Sequence, residues 1–156
     1  MPVSAGGELL LDTCVYIDVL QGRTPASVDE LLEARILNHS TVCLAEMTHL
    51  FGRLDPSHAG TKGVLREIRS MIEEIPEHRL SSPSEMTMGE AGMLAGLASR
   101  LLGIERSERL LLLNDASLYL QALEGGWTIL TRNIRDFDCF DQILPANRVI
   151  FYQQES

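Results

Sequence analysis

The sequence lacks the features that mark several large classes of protein. No apolar run approaches the roughly 18 residues of a membrane-spanning helix, so we expect no membrane segment. Cys14, Cys43 and Cys139 are widely spaced and include no C-x-x-C pair, which indicates reduced thiols near the core rather than a disulfide framework or a zinc site. Residues 1–7 contain no basic region followed by an apolar one, so we expect no secretory signal and a cytoplasmic protein.

Two classes of phosphate-handling protein are disfavoured by the residues directly after the first apolar stretch. A dehydrogenase or a nucleotide-binding switch requires a glycine-rich phosphate loop there, and residues 13–16 contain no glycine. A phosphatase of the haloacid-dehalogenase type has a second acid two residues after the first, and in this chain that position is Cys14.

Basic residues are scarce, since 13 Lys and Arg face 22 Asp and Glu, and the formal net charge is −9. Proteins that bind nucleic acids usually contact the phosphates through Lys and Arg, so the charge by itself argues against such a partner. The objection weakens if several of the carboxylates converge on a metal ion.

The length and the pattern of apolar residues predict one α/β domain. A chain of 156 residues with 45% hydrophobic residues has the size and composition of a single soluble domain, here spanning residues 1–156. Strands alternating with helices favour a mainly parallel sheet. The strands are predicted at residues 8–14, 40–44, 127–130 and 148–152, with amphipathic helices between them, for example over residues 58–75.

Four acids stand where a parallel sheet would bring them together. Asp12 ends the first predicted strand, and Glu46 follows the second. Asp115 stands at a predicted helix start, and Asp136 lies in a polar turn over residues 131–137, after another strand. Ligands of open parallel sheets bind beyond the carboxyl ends of the strands, so these acids are candidates for one site.

A cluster of carboxylates has to be neutralised. At about 5 Å, two carboxylates repel each other by roughly 3 kcal/mol at an effective dielectric constant near 20, so the cluster requires a cation or protons. Oxygen ligands without a Cys or His set favour Mg²⁺ or Mn²⁺. One or two such ions activate water and stabilise charge on a phosphodiester, as nucleases do.

Each acid also has a simpler explanation. Asp115 is favoured at a helix start by the unpaired amides and the macrodipole alone. Glu46 and His49 have the spacing of half a di-iron E-x-x-H pair, although the second half is missing. Asp138 competes with Asp136 for the place of the fourth acid, and either residue is able to cap the turn.

Four stretches resemble the motifs of the PIN-domain ribonucleases, and among them the VapC-like toxins of bacterial toxin–antitoxin pairs. They are residues 10–18, 42–47, 114–119 and 130–137, and each contains one of the four acids. The similarity covers nearly the whole chain. It departs from the family at Cys14, where a Ser is frequent, and at Asn114, where an apolar residue is usual before the acid.

The resemblance implies a three-layer α/β/α sandwich and a metal-dependent endoribonuclease that prefers single strands. It implies an Mg²⁺ or Mn²⁺ site at Asp12, Glu46, Asp115 and Asp136, supported by Thr131 and Asn133 through hydrogen bonds, with Arg132 as a further supporting or substrate-contacting residue. It also implies a homodimer and inhibition by a cognate antitoxin. A housekeeping RNA-processing nuclease of the same fold and a non-catalytic PIN-like interaction module remain as alternatives.

Overall fold

The computed structural model describes residues 7–156. Residues 1–6, on which most of the expectation about a secretory signal rests, lie outside them. The strands are β1 (Leu9–Leu11), β2 (Leu37–Ser40), β3 (Leu80–Ser81), β4 (Thr128–Thr131) and β5 (Val149–Phe151). The α-helices are α1 (Thr13–Leu20), α2 (Ala26–Ala34), α3 (Thr41–Arg53), α4 (Thr61–Glu73), α5 (Glu85–Leu102), α6 (Arg109–Gly125) and α7 (Ile134–Ile143), and two short 3₁₀ turns cover Glu77–Arg79 and Arg106–Glu108.

The five strands form one sheet in the order β3-β2-β1-β4-β5, and every neighbouring pair is parallel. The central strand β1 consists of three leucines, all of them buried. Successive side chains of a strand point to opposite faces, so burial of all three requires cover on both faces of the sheet. The predicted α/β class with a layer of helices on each side of a parallel sheet is confirmed.

The strand order reverses between β1 and β4. The chain first builds outward from β1 through β2 to β3, then crosses to β4 on the other side of β1 and continues to β5. Leu11 of β1 pairs with Leu130 of β4, so the residues that follow these two strands leave the sheet at the same level. Reversal points of this kind form the crevices in which α/β proteins bind ligands.

The prediction of a strand over residues 40–44 is wrong, and with it the placement of Glu46 just after a strand. Strand β2 ends at Ser40, whose hydroxyl accepts a hydrogen bond of 3.1 Å from the Val42 amide and so caps α3. Helix capping by a serine outweighs the β-propensity of the following Thr41 and Val42. Glu46 therefore lies in the second turn of α3.

The prediction that Asp115 begins a helix is also wrong. Helix α6 begins at Arg109, directly after the 3₁₀ turn Arg106–Glu108, and Asp115 lies in its second turn. The unpaired amides of a helix N-terminus therefore do not explain this acid.

The polar segment 131–137 is only partly a turn. Asn133 caps α7, because its side-chain oxygen accepts a hydrogen bond of 3.3 Å from the Asp136 amide. Asp136 thus lies in the first turn of a helix rather than in a loop. All three cysteines are free thiols, Cys43 buried and the other two half-buried, as predicted. None of the helices that residues 7–156 form combines the length and the apolar character required to cross a bilayer.

Candidate functional site

Asp12 stands between β1 and α1 and is held from three directions. Its side chain accepts hydrogen bonds from the Thr13 amide at 2.8 Å, from the Thr131 hydroxyl at 2.7 Å and from the Cys14 thiol at 3.4 Å. The residue is only 5% exposed. Burial raises the pKa of the Asp12 carboxyl, and the hydrogen bonds from Thr131 and Thr13 oppose that rise.

Glu46 reaches the same crevice from α3. Its Oε1 accepts a hydrogen bond of 3.0 Å from the hydroxyl of Thr13, the residue that also contacts Asp12 through its amide. Partial burial raises the pKa of Glu46, and the nearby charge of Asp12 acts in the same direction. Thr13 therefore links two acids that lie on different elements.

Asn133 joins the other two acids. Its side-chain amide donates hydrogen bonds of 3.1 Å to Asp115 Oδ2 and to Asp136 Oδ2. The Arg135 guanidinium donates to the other oxygen of Asp136 at 2.8 Å. The loop after β4 thus brings an acid of α6 next to an acid of α7.

The pKa values of these two carboxyls are shifted in opposite directions. Burial raises the pKa of Asp115 to about 10, with the charge of Asp12 and the hydrogen bond to Asp136 adding to the rise. Burial also acts to raise the pKa of Asp136, but hydrogen bonds from Arg135 and two other neighbours outweigh it, so that pKa is lowered. At neutral pH Asp115 therefore holds a proton beside the ionised Asp136. Opposite shifts in neighbouring carboxyls are typical of functional sites.

All four predicted acids line one cleft of about 550 Å³ at the reversal point of the sheet; we call it the acid cleft. Glu108 also lines it. Asp138 does not, since it is exposed on α7 and accepts a hydrogen bond of 2.7 Å from Gln142. The geometry thus favours Asp136 over Asp138 as the fourth acid. His49 is exposed and lies outside the acid cleft, so the di-iron interpretation finds no support.

The chemistry of the acid cleft fits a hard divalent cation. Its acids supply only oxygen donors, which Mg²⁺ and Mn²⁺ prefer. Burial and the neighbouring acids together raise the pKa of Asp115, and a bound cation would oppose that rise. In the part of the chain that the structure describes, however, no three Asp, Glu, His or Cys side chains are already arranged as a set of metal ligands. Binding would therefore require side-chain rotations that bring the carboxylates closer.

The two arginines of the acid cleft are engaged with carboxylates. The Arg132 guanidinium donates two hydrogen bonds, of 2.7 and 3.2 Å, to the two carboxylate oxygens of Asp18, and Arg135 forms an ion pair with Asp136. The sequence predicts Arg132 as a supporting or substrate-contacting residue, and the structure directs its guanidinium at Asp18. A substrate contact through this group would require that pair to break.

Three residues of this region were not recognised in the sequence as contributing to it. Thr13 bridges Asp12 and Glu46, Cys14 donates to Asp12, and Asp18 binds Arg132. Burial and the charge of Asp12 raise the pKa of Cys14 to about 12, so it remains a thiol donor in the position where a Ser was expected. In the sequence, the only feature that could have indicated these three residues was their closeness to Asp12 in the first motif.

No family model matches the sequence, and no curated protein does. Solved structures do match. A chain of the FitAB complex bound to the IR36 DNA fragment is 19% identical with a TM-score of 0.66, and the match covers 92% of this chain and 94% of that one. A chain of FitAcB from Neisseria gonorrhoeae is 21% identical with a TM-score of 0.61, covering 85% and 93%.

A third match is a chain of DNA-bound VapBC from Salmonella typhimurium, which is 16% identical with a TM-score of 0.59, covering 92% of this chain and 97% of that one. At these identities the likeness establishes the fold, and it agrees with the resemblance that the four motifs indicated. The chain therefore shares the fold of these FitAB, FitAcB and VapBC chains, and the predicted PIN-like fold class is confirmed.

Proposed function

We propose that this protein is a divalent-metal-dependent endoribonuclease. The observation that carries the proposal is the convergence of Asp12, Glu46, Asp115 and Asp136, from four different elements, on one cleft at the reversal point of the sheet. Burial raises the pKa of Asp115 to about 10, and the charges of Asp12, Asp136 and Glu46 act in the same direction, so a cation bound among the four acids would favour the ionised form of Asp115.

The four acids would hold Mg²⁺ or Mn²⁺, which when bound supplies activation of water and charge stabilisation at a phosphodiester. The remaining residues of the acid cleft orient the ligands. Thr131 fixes Asp12 through its hydroxyl, Thr13 fixes Glu46, and the Asn133 amide fixes both Asp115 and Asp136. Asp115 has to give up its proton before it acts as an anionic ligand, so cation binding competes with protonation at this carboxyl.

We also propose that the protein is a cytoplasmic toxin, that it forms a homodimer, and that a cognate antitoxin inhibits it. The support for this role is that chains of similar fold come from the FitAB and VapBC complexes, and that another is described as part of a toxin–antitoxin complex from Klebsiella pneumoniae. A housekeeping RNA-processing nuclease would have the same chemistry without the antitoxin. A non-catalytic interaction module would have neither.

Cleavage of RNA by the purified protein tests the nuclease. Wild type should cut a pool of single-stranded RNA of randomised sequence with Mn²⁺ or Mg²⁺ and stop in chelator. Asp115→Asn should abolish cleavage, whereas Asp138→Asn, which changes a neighbouring acid outside the acid cleft, should leave it unchanged. Cleavage that persists in chelator, or an active Asp115→Asn protein, would overturn the mechanism.

Growth and assembly test the toxin. Induced expression of wild type should arrest growth, and co-expression of a short reading frame adjacent to the gene should relieve the arrest. Sedimentation at tens of micromolar should give a dimer. Normal growth together with metal-dependent cleavage would favour the housekeeping nuclease, and a monomer would exclude the homodimer.

A further inference from the structure

A second cleft of about 450 Å³ adjoins the acid cleft, and we call it the leucine cleft. Both clefts are lined by Thr13, Glu46 and Leu111, so the hydrogen bond of 3.0 Å between Thr13 and Glu46 forms part of the wall between them. A strand that reached the four acids across this wall would pass over the leucine cleft.

The helix that supplies Asp115 also supplies the floor of the leucine cleft. Residues four apart on a helix lie on the same face, so Leu111 lies one turn before Asp115 and Leu110 one turn before Asn114. Leu110 is 68% exposed and Leu111 56% exposed, whereas the next residue, Leu112, is buried at 2%. Two adjacent leucines in water beside a polar site have no packing role in the folded chain.

The charges around the acids restrict how a nucleic acid can be held. Arg132 and Arg135 line the acid cleft, but both are paired with carboxylates, and the whole chain carries a formal charge of −9. Attraction between phosphates and free cations, the usual source of affinity for nucleic acids, is therefore weak here. Single strands have a second source of affinity, because an unstacked base presents an apolar face and polar edges to a protein.

The leucine cleft offers complementary groups to such a base. Its lining is mainly apolar and includes Ile17 and Leu50 together with the leucines of α6, and Thr13, Glu46 and His49 also line it. The half-buried Asn114 lies at the same cleft, and its amide is both a donor and an acceptor for a base edge. The cleft thus combines a mainly apolar lining with the amide of Asn114, the residue directly before Asp115 in α6.

We propose that the leucine cleft binds a nucleobase of the RNA strand, in the nucleotide next to the phosphodiester that lies at the four acids. The proposal rests on the ribonuclease function proposed above and adds its mode of recognition. RNA is held by a base face rather than by its phosphates, and Asn114 selects among the bases.

Substitution of an exposed leucine tests the subsite. Leu110→Ser should raise KM for a single-stranded RNA by about tenfold, because the aliphatic surface that the base covers is lost, and should change kcat little, because the contact is made equally before and during the reaction. Leu101→Ser is the matched control, since Leu101 is 60% exposed and lines neither cleft. In a randomised RNA pool, Asn114→Ala should weaken the base preference at one position beside the cut.

An RNA substrate with one abasic nucleotide identifies the occupant. Placed beside the cut on the correct side, the abasic site should raise KM of the wild type by about tenfold and that of Leu110→Ser by less than twofold, because the two changes remove the same contact. The slope of log KM against the logarithm of the salt concentration should be about 1, the value expected when the protein neutralises only one or two phosphates of the RNA.

The outcomes separate this proposal from the function beneath it. If the wild type cuts RNA and its KM is unchanged by an abasic site on either side of the cut, the leucine cleft binds no base. The proposed nuclease function would then be retained. Equal KM values for Leu110→Ser and Leu101→Ser, with a dimer lost only in Leu110→Ser, would assign the leucines to contact between two copies of the chain and overturn the subsite. A wild type that cuts no RNA with divalent ions removes the nuclease and the subsite together.

Discussion

Two acids on either side of the segment 131–133, the buried Asp18 and the half-buried Asp115, have opposite environments. Asp18 is fully buried and is satisfied by Arg132, by the Tyr152 hydroxyl at 2.6 Å and by the Gln154 amide at 2.8 Å. These hydrogen bonds outweigh burial and lower its pKa. Asp115 accepts one hydrogen bond, from the side-chain amide of Asn133, and lies near other acids. Its pKa is raised to about 10.

The difference separates an acid with several hydrogen-bond donors from an acid with only one. Asp18 has every partner it needs within the chain, so its charge stabilises the fold by tying the C-terminal segment and Arg132 to α1. Asp115, in contrast, has a strongly raised pKa. The hydrogen bonding of the fold is otherwise complete, since no buried side-chain nitrogen or oxygen among residues 7–156 lacks a hydrogen-bond partner. Local violations of this kind are expected where a protein binds or reacts.

The largest effect should come from the satisfied acid. Arg132→Met leaves Asp18 buried without its cation and should lower the free energy of unfolding by about 3 kcal/mol, measured by urea denaturation. Arg135→Met is the control from the other side of the segment. Arg135 is 55% exposed, so its removal should lower stability by about 1 kcal/mol or less. Equal losses would contradict the contrast between the two sites.

Replacing Asp115 should have the opposite sign. In chelator at pH 7, Asp115→Asn removes the free energy required to keep this carboxyl protonated and should stabilise the protein by about 2 kcal/mol. Asp138→Asn, on the exposed side of α7, should change stability by less than about 0.5 kcal/mol. A chelated Asp115→Asn protein that unfolds at lower urea than wild type would mean that Asp115 is a satisfied structural residue.

The pH dependence of stability should follow Asp115. Between its unfolded value near 3.8 and its folded value of about 10, the native state holds a proton that the unfolded state has lost. The free energy of unfolding in chelator should therefore fall as pH rises between pH 6 and pH 8, by up to about 1.4 kcal/mol per pH unit for one proton. Asp115→Asn should flatten this slope. Stability of the chelated wild type that rises over this interval would contradict the assignment.

The sequence predicted the part of the site that is local to the strands. Asp12 was predicted because polar residues directly after apolar strands mark the edge of a parallel sheet, and Thr131 and Asn133 were predicted as supporting residues from the resemblance. Asp136 was found through its motif, although its helix was taken for a turn. These positions depend on residues close by in the chain.

The contacts of Asp18 left no signal in the sequence. Its partners Arg132, Tyr152 and Gln154 are more than 110 residues away, and only the pairing of β1 with β4 and of β4 with β5 brings them to α1. The position of Asp115 within α6 was missed for a different reason. The polar Asn114 looked like a helix start, but the 3₁₀ turn before Arg109 begins the helix earlier.

Calorimetric titration with Mn²⁺ at pH 7, in two buffers of different ionisation enthalpy, tests the central claim that the acid cleft binds a cation in exchange for the proton of Asp115. Wild type should bind Mn²⁺ and release about one proton, because Asp115 has to ionise to become a ligand. Asp138→Asn should behave as wild type, and Asp115→Asn should bind at least about tenfold more weakly without releasing the proton. A wild type that does not bind Mn²⁺, or an Asp115→Asn protein that binds it with unchanged affinity, would contradict the account.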